Sequence, residues 1–427
     1  MAGVGSGGAP TLLTPARRWI LFVILALAGI SNAMDRQIIA LLKFEMSGDL
    51  GWTDQDYANL AAYFQYASAA AFLFTGWLVD RLGVKWGNVV GVGAWSIAAA
   101  AHGWASSMWQ FIACRIGLGA TESMGTPLNI KTISTLFEPD RRSFAVGLLT
   151  LIAAVGLVSM PFVIPWLESL VGWRGAFILA GLSGIVIIVL WLGAFGTIKV
   201  DDGHETVVAD GGTTGDSYGP ILANRQTWGI AVAKALSDAT WWLMLYWLPD
   251  FYRKTFGLKG TDLAVAMAIA FIGSGVGAFF WGWLSTRLLD RGWNLNRVRK
   301  GVMLASALVV LPVPFVLYIG QFWPVAIMMA FVLAGHQGFS LSIFSTITDI
   351  APRAKVARLT AFGAFVGNVG GGLIQPVTAA VLGAGLGYLP LFVFAGFSYL
   401  LALGWLQLFI PVIRRAPDAG STPVAAH

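Results

Sequence analysis

The sequence predicts an all-α membrane protein of about twelve spanning helices, and three observations carry that expectation. Of the 427 residues, 57% are apolar and only 11% are charged, whereas a typical soluble protein carries about 25% charged residues. So few charges cannot coat a water-facing globule of this size, so lipid is the solvent for most of the chain. Apolar stretches of spanning length recur from end to end. The cations between them fall almost entirely on alternate loops, as the positive-inside rule requires.

Residues 1–16 are rich in Gly, Ala and Pro and read as a disordered tail. Arg17-Arg18, an apolar run and then Ser31-Asn32-Ala33 imitate a cleavable signal peptide. The run continues to Leu42, however, long enough to cross about 30 Å of hydrocarbon, and it reads as the first spanning helix. Spans at 18–41, 55–79, 86–104, 108–136, 143–166 and 174–197 form an N-terminal half over 17–197. Residues 198–225 are polar and glycine-rich, with Asp201-Asp202-Gly203-His204-Glu205 near their start, and read as a cytoplasmic linker. Six more spans, at 226–252, 262–288, 299–319, 322–348, 357–383 and 387–412, form a C-terminal half over 226–412, before a tail over 413–427.

The net charge of +6 follows from membrane orientation. With the N-terminus inside, eighteen of the 27 Lys and Arg residues lie in cytoplasmic regions and five in outer loops, among them Lys43, Arg174 and Arg253. Both termini then face the cytoplasm of a plasma membrane of the bacterial inner-membrane kind. The other four cations, Arg36, Arg115, Lys131 and Lys234, fall inside spans. Cys114 stands alone, so it forms no intrachain disulfide and belongs to no metal-ligand spacing. No Gly-Lys dipeptide occurs, which excludes a phosphate-binding loop of the pump type. The four histidines, His102, His204, His336 and His427, are scattered. No nucleophile–base pair or metal cluster is visible, so the chain is expected to be no enzyme, to carry no cofactor or metal, and to bind no nucleic acid. Its expected partners are the lipid bilayer, a small solute and protons, and it is expected to act as a monomer.

Gly76-Trp77-Leu78, before Asp80-Arg81, recurs 206 residues later as Gly282-Trp283-Leu284 before Arg287. Two related six-helix halves are common among secondary transporters. The segment Gly76-Trp77-Leu78-Val79-Asp80-Arg81-Leu82-Gly83-Val84-Lys85 resembles the signature loop of the major facilitator superfamily, with Gly76, Asp80, Arg81, Gly83 and Lys85 at its marked positions. Gly172-Trp173-Arg174-Gly175-Ala176-Phe177 resembles a second recurring element of that family. Asn32-Ala33-Met34-Asp35-Arg36 looks like the N-x-x-D-R of its anion:cation symporter branch, and Arg115 to Glu122 looks like the branch's R-x6-E. Arg225 to Ala231 and Gly335-His336-Gln337 are similar to hexuronate transporters, which carry glucuronate and galacturonate with protons. The resemblance covers Arg18 to about Ile410. It implies the major facilitator fold and a proton-coupled symporter of an organic acid anion, such as a hexuronate or related sugar acid, working by alternating access.

An ionisable side chain inside a bilayer is costly and marks a pathway or a relay by default. Asp35 and Arg36 lie about 25 Å along an outward-running helix, and Arg115 about 10 Å into an inward-running one. Arg36 and Arg115 are thus expected at one depth, facing one cavity as a fork for a carboxylate. Glu122, two turns beyond Arg115, lies on the same face. In the resembling branch the arginines bind substrate, while the positions of Asp35 and Glu122 couple protons. The alternative is that these charges are internal salt bridges holding helices together. Lys234 and Asp238 form an i, i+4 pair with either a structural or a functional reading. Asn368 resembles a substrate-contacting position of the branch, and Gln375 follows it by two turns. Tyr63, Tyr66, His336 and Gln337 are further cavity candidates, each with simple packing as the alternative. Ala153 falls near a position that is Gln in aldonate carriers, which argues against an aldonate cargo. Glycines at 273, 275 and 277 and at 367, 370, 371 and 372 suit closely packed, sliding helices. Two other functions are alternatives. A drug:proton antiporter of the same fold would show a glycine-proline signature in the fifth span, which Gly147 to Pro161 does not match. A receptor that binds without transporting differs only in lacking uptake.

Overall fold

The computed structural model describes residues 14–196 and 219–415, and among these the chain forms helices and no strand. Helix α1 (Pro15–Leu41) is the first span, and α2 (Lys43–Leu50) is a short helix at its end. Spans two and three lie in α3 (Asp54–Ala101). The fourth span is α4 (Met108–Glu122) plus α5 (Gly125–Leu136), and α6 (Pro139–Phe195) holds the fifth and sixth. After the short α7 (Gly219–Leu222), spans seven and eight are α8 (Arg225–Phe256) and α9 (Gly260–Asp290). Span nine is α10 (Leu295–Val310), continued by a 3-10 turn at Val313–Tyr318. The last three are α11 (Phe322–Ile350), α12 (Arg353–Gly383) and α13 (Leu389–Phe409). The twelve expected spans are present. The expected linker and both tails fall largely outside the described residues.

Local chemistry explains the ends and bends. Thr53 and Ser107 cap α3 and α4 through reciprocal bonds with Asp56 and Gln110. Gly83 (φ 69°) and Gly172 (φ 70°) let the chain turn between spans two and three and between spans five and six. That backbone is strained for any other residue. Both glycines belong to the two motifs singled out in the sequence. The Gly-Trp-Leu repeat has a structural counterpart as well. Arg81 lies 5.1 Å from the Trp77 ring centre and Arg287 lies 5.3 Å from that of Trp283, one helical turn on in each half.

Seven helices among the described residues contain an apolar window of spanning length. Helix α8 is long enough but is not among them, because it carries Lys234, Asp238 and Asp250 within its length. Large apolar side chains such as Phe74, Ile97, Phe144, Leu190 and Leu401 lie exposed on the outside of the bundle, where lipid covers them.

Lipid is as apolar as leucine, so helix association inside it depends on close packing rather than on hydrophobic transfer. A Cβ at Gly273 or Gly277 of α9 would collide with Ala330 or Ala334 of α11, and one at Gly370 of α12 with Ala235 of α8. The two halves meet where α12 packs on α3, α9 on α6 and α1 on α8.

The fourth span departs from expectation by breaking at Ser123-Met124. The Thr121 hydroxyl donates to Gly117 O and the Ser123 hydroxyl to Ala120 O, side-chain bonds that compete with the helical ladder and bend it. Glu122 is the last residue before the break.

Gly277→Ala should cost about 1–3 kcal/mol by overpacking and lower the thermal midpoint of the purified protein. Gly193→Ala, where the added methyl meets open space, should leave it unchanged or raise it. Equal midpoints would contradict the close-packing argument.

Candidate functional site

A cavity of about 690 Å³ lies between the two halves. Its N-terminal wall includes Asn32, Arg36 and Gln37 of α1, Glu122 at the break of the fourth span, and Asn129 of α5. Its C-terminal wall includes Trp241, Trp242 and Leu245 of α8, Phe271 and Ser274 of α9, and Gln337 of α11.

In the cavity wall Arg36 Nε donates to Glu122 Oε2 at 2.6 Å, with the Glu122 side chain fully buried and that of Arg36 31% exposed. The two salt bridges the sequence offers as alternatives, Asp35–Arg36 and Arg115–Glu122, are not formed; the pair is Arg36–Glu122, which joins α1 to the fourth span instead. Of the four charges only Arg36 and Glu122 face the cavity. Asp35 and Arg115 stand behind them, 1% and 0% exposed. Neither carboxylate oxygen of Asp35 has a hydrogen-bond partner among the described residues, although Glu122, Arg115 and Arg36 are all near enough to act on it electrostatically.

Arg115 therefore differs from expectation. It is not the second tine of a fork in the cavity. Its Nη2 donates to the Tyr246 hydroxyl of the opposite half at 3.1 Å, and its Nε reaches Leu60 O at 3.4 Å. Its guanidinium carbon is 4.4 Å from the centre of the Phe64 ring. The span carrying it lies hard against α3, because Gly119 packs directly on the Phe64 backbone and accepts a bond from Ser68.

The other sequence candidates divide. Gln337 lines the cavity, its amide donating to Ser274 Oγ at 2.8 Å. His336 does not; it is buried beside the Tyr399 hydroxyl and stacked on Trp241. Tyr63 is 39% exposed and off the cavity wall, and Tyr66 packs on Gly372. Asn368 donates to Ala364 O of its own helix, and Gln375 accepts from Trp247 Nε1. Lys234 and Asp238 pair at 2.7 Å outside the cavity, with Gly367 of α12 closed down on Asp238. In the signature loop, Asp80 pairs with Lys131 of α5 at 3.1 Å, and Lys85 donates to Gly196 O at 3.0 Å.

Sequence reading missed the far end of the bundle, beyond the cavity. Lys43, an outer-loop cation by its place in the sequence, is 4% exposed and bonded to Asp54 and Asp250. The signal was present in Asp250 itself, an acid following the apolar run Trp241 to Leu248.

Removing the Tyr246 hydroxyl leaves a buried guanidinium nitrogen without its acceptor, which costs about 1–3 kcal/mol. Tyr246→Phe should lower the thermal midpoint of ligand-free protein, whereas Tyr63→Phe should not. Equal midpoints would mean that the Arg115 bond carries no weight.

The family model described as Major Facilitator Superfamily matches residues 25–375. The D-galactonate transporter of Escherichia coli O6:H1 is 22% identical over 414 residues, covering 91% of this chain and 96% of that protein. The hexuronate transporter of Escherichia coli strain K12 is 26% identical over 433 residues, covering 96% and 98%. In structure, a bacterial homolog of the human lysosomal transporter Spinster, solved in an inward-facing and occupied conformation, superposes with a TM-score of 0.75 at 16% identity, covering 95% of this chain and all of that one. The chain is a multi-pass membrane protein, a transporter rather than an enzyme, and it belongs to the Major Facilitator Superfamily.

Proposed function

We propose that the protein is a proton-coupled symporter of an organic acid anion, with a hexuronate or related sugar acid as cargo, working by alternating access. One observation carries this reading. A cavity arginine, Arg36, is held by a buried carboxylate, Glu122, with a second, unpartnered carboxyl, Asp35, directly behind it. A substrate carboxylate competes with Glu122 for the guanidinium. Once displaced, Glu122 is a buried acid without a partner, and a neutral carboxyl is far cheaper to bury than an anion. Binding the anion and taking up a proton are thereby made to favour one another.

In this reading Arg36 binds the anion and Glu122 and Asp35 carry protons. Arg115 tunes them from behind, while Gln337, Ser274 and Asn32 meet cargo hydroxyls. Tyr63, Tyr66, His336 and Asn368 belong to shaping the site rather than touching cargo in this state. The names of the galactonate and hexuronate relatives support a sugar-acid cargo. The Lys and Arg asymmetry supports cytoplasmic termini in a bacterial-type inner membrane. The cavity then faces the cytoplasm.

In proteoliposomes with an imposed inward proton gradient, labelled galacturonate should accumulate, and a protonophore should abolish the accumulation. Glu122→Gln should retain exchange of labelled for unlabelled substrate and lose most of its gradient-driven accumulation, because the site can no longer carry the proton. Accumulation indifferent to the protonophore, or intact in Glu122→Gln, would refute proton coupling.

A further inference from the structure

On the side of the site away from the cavity, the halves are joined by a closed ring of alternating charges. Lys43 Nζ lies 2.7 Å from Asp54 Oδ1 and 2.5 Å from Asp250 Oδ1. Lys254 Nζ lies 2.8 Å from Asp54 Oδ2 and 3.1 Å from Asp250 Oδ2. Lys43 and Asp54 belong to the N-terminal half, Asp250 and Lys254 to the C-terminal half. Two of the four contacts therefore cross between halves, and two lie within one half.

The ring is built in, not incidental. Asp250 is 1% exposed and accepts a bond from the Tyr388 hydroxyl. Lys43 sits between the faces of Tyr57 and Trp247, 4.8 Å and 4.3 Å from their ring centres, one ring from each half. The Trp247 indole is anchored on Gln375, and the Tyr57 hydroxyl donates to Tyr246 O across the seam. On α8, Trp242, Tyr246 and Asp250 are spaced one turn apart, so one helix face meets in turn the cavity, Arg115 and Lys43.

Opening the cross-half pair Lys43–Asp250, whose side chains are both buried, would strand two charges away from water, a heavy penalty unless each finds another partner. Here that penalty is avoided by the contacts within each half. If the halves part, Lys43 keeps Asp54 and Lys254 keeps Asp250, so two neutral pairs remain and no charge is stranded. We propose that this four-charge ring is a reversible latch on the closed end of the transporter, exchanging its two cross-half bonds for two within-half pairs when that end opens.

The proposal rests on the alternating-access reading, and its test is independent of cargo. Spin labels placed by Trp104→Cys and Leu386→Cys, in a Cys114→Ala background, report the distance between halves at this end by pulsed electron resonance. Lys43→Glu with Asp54→Lys inverts the charges of one half, keeping its internal pair while setting like charges across both seam contacts. The longer-distance population should then rise at least about tenfold over the parent, because like charges across both seam contacts favour the open arrangement. Adding Asp250→Lys and Lys254→Glu inverts the other half, restores complementarity and should return the distribution towards the parent's. The neutral double variant, Lys43→Gln with Asp250→Asn, should show an intermediate rise and guards against misfolding of the inverted form. Parent-like distances in both the half-inverted and the neutral variants would overturn the latch. If the parent failed to accumulate substrate while the distances moved as stated, the transport reading would fall and the latch would stand.

Discussion

A charge sealed inside a lipid-facing bundle has to find a partner, and this constraint organises the molecule from end to end. Stranding one costs about 3–5 kcal/mol, a large part of the roughly 5–15 kcal/mol that holds a native fold together. At the closed end Lys43 is held by two carboxylates and two aromatic faces. At the cavity Arg36 is held by Glu122, and behind it Arg115 by a tyrosine of the other half. At the end carrying the signature loop, Lys131 and Lys85 tie Asp80 and the Gly196 carbonyl to neighbouring spans. Asp35 is the exception. It has no hydrogen-bond partner among the described residues, and it stands directly behind the pair that faces the cavity.

The apolar scaffold makes these pairings possible by letting helices approach closely. Gly119 brings the Arg115 span onto α3, and Gly367 brings α12 onto Asp238. The break after Glu122 is local in origin, arising from the hydroxyls of Thr121 and Ser123. It falls at the residue that holds Arg36. Small residues and helix-competing hydroxyls thus set where the charges can meet.

The spans and their order were legible because hydrophobic length and loop charge are signals written along one dimension. The quartet Asp35, Arg36, Arg115 and Glu122 was legible for a related reason, since ionisable residues stand out in an apolar run. Which charge takes which partner was not. The partner of Arg115 is Tyr246, 131 residues away, and helical periodicity says nothing about such a contact. Lys43 read as a loop cation because charge at the end of a span is ordinarily solvated; only the convergence of α1, α3 and α8 buries it. Asn368 and His336, carried over from a resemblance, lie off the cavity wall, because a side chain's register within its span depends on how neighbouring helices rotate.

The central claim is that anion and proton move together through the Arg36–Glu122 site. It is tested most directly by trapping a pH-sensitive dye inside proteoliposomes without any imposed gradient and adding galacturonate outside. The account predicts that the lumen acidifies as the sugar acid enters and that this acidification is absent in Arg36→Gln. Uptake of galacturonate with no change in lumenal pH would contradict it.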